Sequence, residues 1–157
     1  MKATVFLILL LFTTKTYSAE PEIQEVKILF RASANNKVVA ERLLKLLSTV
    51  DHTSPPLLIC YKGAAEMMQA KHKSNPINKF VRFKKGKKLI EEAVKKEPHN
   101  LEIRFLRFMI QTNLPAFLSY HNDINEDKKY LLANLKTTKD QKLKQDILTY
   151  LSNSKLH

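Results

Sequence analysis

Cysteine occurs once in the 157 residues, at Cys60, and glycine only twice, at Gly63 and Gly86. A lone cysteine excludes an internal disulfide, so packing must supply the stability. Cys60 lies in an apolar helical run, where a thiol is expected to be buried and inert. So few glycines leave no phosphate-cradling loop, and no HExxH, Cys/His zinc spacing or G-x-S-x-G elbow is present. The histidines (His52, His72, His99, His121, His157) are scattered, mostly at expected helix ends. Glu91 and Glu92 are adjacent, diverge by about 100° on a helix and cannot work as an acid/base couple. No strand-type alternation occurs anywhere. The residues nominate no metal site, no cofactor and no catalytic group; an enzyme would need a site dispersed over several helices.

Negative charge is also scarce. The chain has 27 Lys and Arg against 15 Asp and Glu. Residues 1–19 read as a cleaved signal peptide: Lys2 is a basic start, Val5 to Phe12 is apolar, and small residues precede cleavage after Ser18 or Ala19. That apolar run is shorter than the ~18–20 residues of a membrane span. The expectation is export, to the periplasm or beyond. Without Lys2 and Lys15 the remaining 20–157 carry 25 cations and 15 carboxylates, a net +10. This suits a single domain with a core of its own and an affinity for anionic partners.

The remaining pattern is helical throughout. A short helix over 23–32 places Ile23, Val26, Leu29 and Phe30 inward, with Gln24, Lys27 and Arg31 facing away. Asn35 is the expected cap of a second helix with Val39, Leu43, Leu46, Leu47 and Val50 inward. After the break at Asp51–Pro56, Ser54 caps and Pro55 or Pro56 opens a third helix to about 72. Leu57, Cys60, Tyr61, Ala64, Met67 and Met68 cover more than half of it, leaving Lys62, Glu66 and Gln69 as its wet side. Ser74-Asn75-Pro76 starts a fourth helix over 77 to about 96, with Phe83, Ile90 and Val94 as its core stripe and Gly86 and Ala93 beside them. Lys84, Lys88 and Lys95 project opposite, with Lys85, Glu91 and Glu92. The basic run from Lys79 to Lys88 therefore reads chiefly as a solvated face: nucleic acid is disfavoured, and a membrane surface is not preferred. Asn100 caps a fifth helix over 101–111, apolar almost all round and expected to be the most buried. A short turn or helix over 116–120 follows. Capping boxes at Asp123/Glu126 and Thr138/Gln141 then open two more helices, the last with Leu143, Ile147, Tyr150 and Leu151 inward.

Both glycines fall inside expected helices, where each costs ~1 kcal/mol relative to alanine, so close helix approach is expected there. Gly86, Ile90 four residues on, Ala93 and Pro98 match the second helix of a tetratricopeptide repeat, A-x₃-F with a following proline. Cys60, Gly63, Ala64 and Met67 follow its first-helix pattern W-x₂-L-G-x₂-Y loosely, Ala64 standing for the glycine. The chain resembles exported, tetratricopeptide-like helical proteins of Bacteroidota. From Ala64 to Gly86 is about ten residues more than a ~34-residue repeat allows, so longer helices are expected in that hairpin. Arg104, Arg107 and Gln111 stand where the next repeat would have W, L and Y. The resemblance implies an all-α, right-handed stack of consecutive antiparallel hairpins, about seven or eight helices, with a C-terminal capping helix, and periplasmic residence; it implies no activity.

One constellation stands out. Arg104, Arg107 and Gln111, spaced i, i+3, i+7, form a polar stripe on an otherwise apolar helix, where charge is costly. It either pairs with carboxylates such as Asp123, Glu126 or Asp127, or grips a carboxylate or phosphate in a groove also lined by Tyr61, Glu102 and Phe105. The functional expectation is a non-catalytic scaffold for a protein or peptide, acidic ones included. The alternative is a basic binder of anionic polymer or lipid headgroups.

Overall fold

The computed structural model describes residues 20–153; the expected signal peptide lies outside them. These residues form seven α-helices, and no strand occurs among them: α1 (Ile23–Ser33), α2 (Lys37–Leu46), α3 (Pro56–Lys71), α4 (Pro76–Lys96), α5 (Leu101–Asn113), α6 (Ile124–Asn134) and α7 (Gln141–Asn153). Single 3₁₀ turns follow α2 and α5, at Leu47–Thr49 and Ala116–Leu118.

Short polar side chains set where the helices begin. Asn36 Oδ1 accepts from the Val39 amide at 3.2 Å, so the α2 cap is one residue later than the expected Asn35. Asn75 accepts from Ile77 and Asn78, ahead of Pro76 in the first turn of α4. Asn100 accepts from Glu102 and Ile103, both at 3.1 Å. Such caps satisfy amides that have no partner within the helix. Three further expected caps are not formed. Ser54 Oγ accepts from the Asp51 amide, and Pro55 stands at the α3 cap. Asp140, rather than Thr138, caps α7 through the Leu143 amide at 2.9 Å. Asp123 begins α6 without a side-chain cap, because its carboxylate and that of Glu126 are drawn to α5.

α1 packs on α2, α3 on α4, and α5 on α6; α3 also meets α1, α2 and α5, while α7 rests on α5. Helices covered from several sides show it in their burial. All of α5 from Glu102 to Phe108 is buried. α3 buries Glu66 and Gln69 as well, both 2% exposed. This corrects the expected wet side: Glu66 faces α4, where Arg82 (2.5 Å) and Lys85 (2.6 Å) reach it. Lys27 and Arg31, expected to face away, instead cross to Glu102 and Asp146 at 2.7 Å each. Two apolar clusters divide the interior. One joins α1 to α5 around Val26, Leu43, Ile59, Ile90 and Ile103. The other joins α5, α6 and α7 around Phe108, Leu131 and Ile147.

The α3/α4 seam is the tightest place in the fold. A Cβ on Gly63 would lie 2.7 Å from the Gly86 carbonyl oxygen and 2.8 Å from Ile90 Cγ1. A Cβ on Gly86 would lie 2.6 Å from the Gly63 carbonyl oxygen and from Met67 Cγ. The buried residues of α4 are Phe83, Gly86, Ile90, Ala93 and Val94, the stripe expected from periodicity. Pro98, exposed, lies in the α4–α5 turn, where its ring bars continuation of α4.

Candidate functional site

Helix α5 separates two kinds of chemistry by angle alone. Arg104 and Glu102 are two residues apart, about 200° around the axis, and therefore address opposite neighbours. Arg104, Arg107 and Gln111 turn to α6; Glu102, Phe105 and Met109 turn to a groove bordered by α1, α3 and α7.

On the α6 side the charges are met within the chain. Arg107 makes a bidentate contact to Asp127, Nε to Oδ2 at 2.7 Å and Nη2 to Oδ1 at 2.8 Å. Its Nη1 donates to Glu91 at 3.1 Å. Arg104 donates to Glu126 at 2.7 Å, and its Nε lies 2.5 Å from Asp127 Oδ1. Gln111 gives its amide to Asp123 at 3.0 Å. Asp127 is fully buried, Arg104 and Arg107 nearly so. Burial acts against the Arg107 cation but is outweighed by hydrogen bonding to Asp127 and the charges of Asp127, Glu91 and Asp123, so its pKa rises. Burial pushes the Asp127 carboxyl up, against the pull of Arg107 and Arg104. Glu91, expected on the solvated face of α4, is half-buried and also accepts from Tyr120 at 2.5 Å. The stripe thus docks α6 and has its charges met by protein carboxylates, although the Arg104 Nε–H, close to Asp127, makes no hydrogen bond.

The opposite side of α5 is open. Two adjoining cavities, about 680 and 770 Å³, share Phe30, Ala34, Met68, Met109 and Tyr150 and form one groove. Tyr61, Glu102 and Phe105 line the first of them together. They are brought together as expected of a groove, but away from Arg104, Arg107 and Gln111. Glu102 anchors the polar floor, accepting from Tyr61 Oη at 2.6 Å and Lys27 Nζ at 2.7 Å. Burial and the neighbouring Glu102 raise the Tyr61 pKa, so the phenol stays a donor. Arg31 and Lys142 both meet Asp146, which ties α7 to α1 along the rim. Tyr150 stands between the two compartments. Its ring packs edge-on to Phe105 and Phe108, and its hydroxyl meets Thr112 and Asn113 at 2.6 Å.

The second compartment is mostly apolar, floored by Met67, Met68, Met109 and Ile110 and walled by Phe80, Phe83 and Phe117. Phe117 is 82% exposed and Phe80 53%. Phe80 belongs to the basic run that reads chiefly as a solvated face, and Phe117, just after Pro115, carries no sequence signal of a site. Cys60 is fully buried, and burial first, then Glu102 and Glu91, push its thiol up, away from the nucleophilic thiolate. Among the described residues no group of His, Cys, Asp and Glu could hold a metal ion, and no helix is long and apolar enough to cross a membrane.

No family model, curated protein or solved structure matches the chain.

Proposed function

We propose that the protein is an exported, non-catalytic scaffold of tetratricopeptide-like hairpins that binds a protein or peptide in this groove. The carrying observation is one continuous groove bordered by α1, α3, α5 and α7, with the first half of α4 (Lys79, Phe80, Phe83) walling its second compartment. In a stack of hairpins the first helix of each pair lines a common concave face. The pairing of α1 with α2, α3 with α4 and α5 with α6, with α7 closing the end, supports the same reading. The tight Gly63/Gly86 seam has the small residues that such a hairpin uses. Arg104, Arg107 and Gln111 have no part in it, since they meet carboxylates of α4, of α6 and of the turn before α6.

The test is photo-crosslinking in the intact chain. A crosslinkable residue at Phe117 or Met68 should give discrete adducts with a partner protein in the cell envelope. The same residue at Lys88, on the outer face of α4, should give none. Equal labelling from both faces, or adducts from Lys88 alone, would remove the groove as the binding surface.

A further inference from the structure

The charged residues lining the Met-floored compartment are Lys71 and Lys79, both cations, and they belong to the most basic stretch of the chain. Residues 52–90 contain nine Lys and Arg and a single carboxylate, Glu66, so this stretch carries +8 of the net +10 of residues 20–157. Glu66 is 2% exposed and already held by Arg82 and Lys85, so it offers nothing to the surface. The next carboxylates are also engaged, Glu91 by Arg107 and Tyr120 and Glu92 by Lys96. Lys79 lines the Met-floored compartment, and no carboxylate partner for it occurs among the described residues. Lys71, on the same rim, donates to the Ala34 carbonyl at 3.0 Å. Lys84 and Lys87 lie over the rings of Phe80 and Tyr120. The field at this compartment is therefore unbalanced and positive, around a floor of carbon and sulfur.

On the reading of the groove as a peptide site, we propose that the Met-floored compartment takes an acidic amphipathic helix from a partner protein. Three features select that occupant. The excess cations require carboxylates on the ligand. The floor of Met67, Met68, Met109 and Ile110 requires an apolar stripe, and unbranched methionines adapt to its side chains. The walls present no free strand edge, so an extended peptide would find no ladder for its amides and carbonyls, whereas a helix satisfies its own. Phe80 and Phe117 are exposed enough to touch a lipid interface, so vesicles are the competing probe in the test.

The experiment measures binding to the full chain of a fluorescent 18-residue peptide of Glu, Ala and Leu, with Leu at i, i+3, i+4 and i+7. Controls are the same composition with Leu scrambled off the stripe, a version with Lys for Glu, and a proline-containing extended peptide. The acidic helix should bind at least about tenfold tighter than each control. F80A and F117A should each weaken it several-fold, K71E with K79E about tenfold or more, and K88E little; all five positions are exposed, so the fold is retained. Raising salt from about 50 to 200 mM should weaken it further. Equal binding of the scrambled or Lys peptide would overturn the proposal. Tighter binding to phosphatidylglycerol vesicles, displacing the peptide and lost in F117A, would assign the surface to lipid instead. If only the extended peptide bound, the helix would be refuted while the scaffold reading stood; groove crosslinks that failed as well would remove both.

Discussion

Replacing either seam glycine with alanine tests how the fold is held together, because two known effects have opposite signs there. In a helix interior alanine is favoured over glycine by ~1 kcal/mol. Against this, the new methyl of Gly63→Ala would stand 2.7 Å from the Gly86 carbonyl oxygen, 2.8 Å from Ile90 Cγ1 and 3.1 Å from the Ile90 amide nitrogen. Two of these atoms are backbone and the third belongs to a fully buried branched side chain, so α3 and α4 must part. Parting by about 0.5–1 Å forfeits a quarter to a half of each dispersion contact along the seam, and overpacking of this kind costs ~1–3 kcal/mol. The net expectation for Gly63→Ala is a loss of about 1–2 kcal/mol after the propensity gain. Gly86→Ala should cost less. One of its close neighbours is Met67 Cγ, which can swing aside, leaving the Gly63 oxygen as the rigid obstacle. The double variant should lose less than the two singles together, since a seam opened for one methyl accommodates the other. Urea unfolding at constant m gives the values directly. A gain of about 1 kcal/mol in either single variant, the response of an uncrowded helix, would refute the close approach. Strict additivity in the double would refute the shared seam.

The remaining expectations concern charge and the thiol. Asp127→Asn should cost about 3–5 kcal/mol by leaving Arg107 buried without its bidentate partner, and Arg107→Met with Asp127→Leu should recover much of that; a loss below about 1 kcal/mol in Asp127→Asn would show that the arginines are open to solvent. Cys60 should be silent to a thiol reagent in the native protein and titrate once in denaturant, and fast native labelling would contradict its burial. Asp146 gains from Lys142 and Arg31 more than burial costs it, so its pKa is lowered. A lowered carboxyl stabilises above its unfolded value and loses that contribution as pH falls through the folded one, so α7 should loosen from α1 below about pH 4. Amide exchange should show α7 losing protection before α3 on acidification, and Arg31→Ala should blunt the effect. Simultaneous loss in both helices would place the acid-sensitive contact elsewhere.

Periodicity carried the sequence reading furthest where a helix has one dominant neighbour, as α4 has in α3. In α4 the expected stripe of Phe83, Ile90 and Val94 is the buried face, because most of its other side chains meet water. It misled where a polar residue is satisfied by a distant helix. Glu66 and Gln69 mark a wet side by residue type, yet both are buried. A carboxylate that is alone among nine cations was a signal that it would be paired rather than solvated, and Arg82 and Lys85 lie one turn apart on the next helix. The Asp123/Glu126 box failed for a related reason. Capping is worth about 1 kcal/mol, and a buried guanidinium left unpaired costs several times that, so the carboxylates go to α5.

The same competition shaped the site. A stripe at i, i+3, i+7 shows that three polar residues share a face, but not whether the facing element brings carboxylates or leaves a groove. The α5–α6 connection decided it by placing Asp123, Glu126 and Asp127 opposite the stripe. A well-packed hydrocarbon interface would be at least as stable as this network, so what the network adds is register. Arg107 reads both oxygens of Asp127, and Gln111 and Arg104 fix the turns on either side, so α6 can neither rotate nor slide without stranding a charge. α5 is thereby held with one rotational setting, and that setting aims Glu102, Phe105 and Met109 into the groove 200° away. The arginines act on the groove only through this alignment. In the Arg107→Met, Asp127→Leu variant, stability should therefore return before affinity for the acidic helix does.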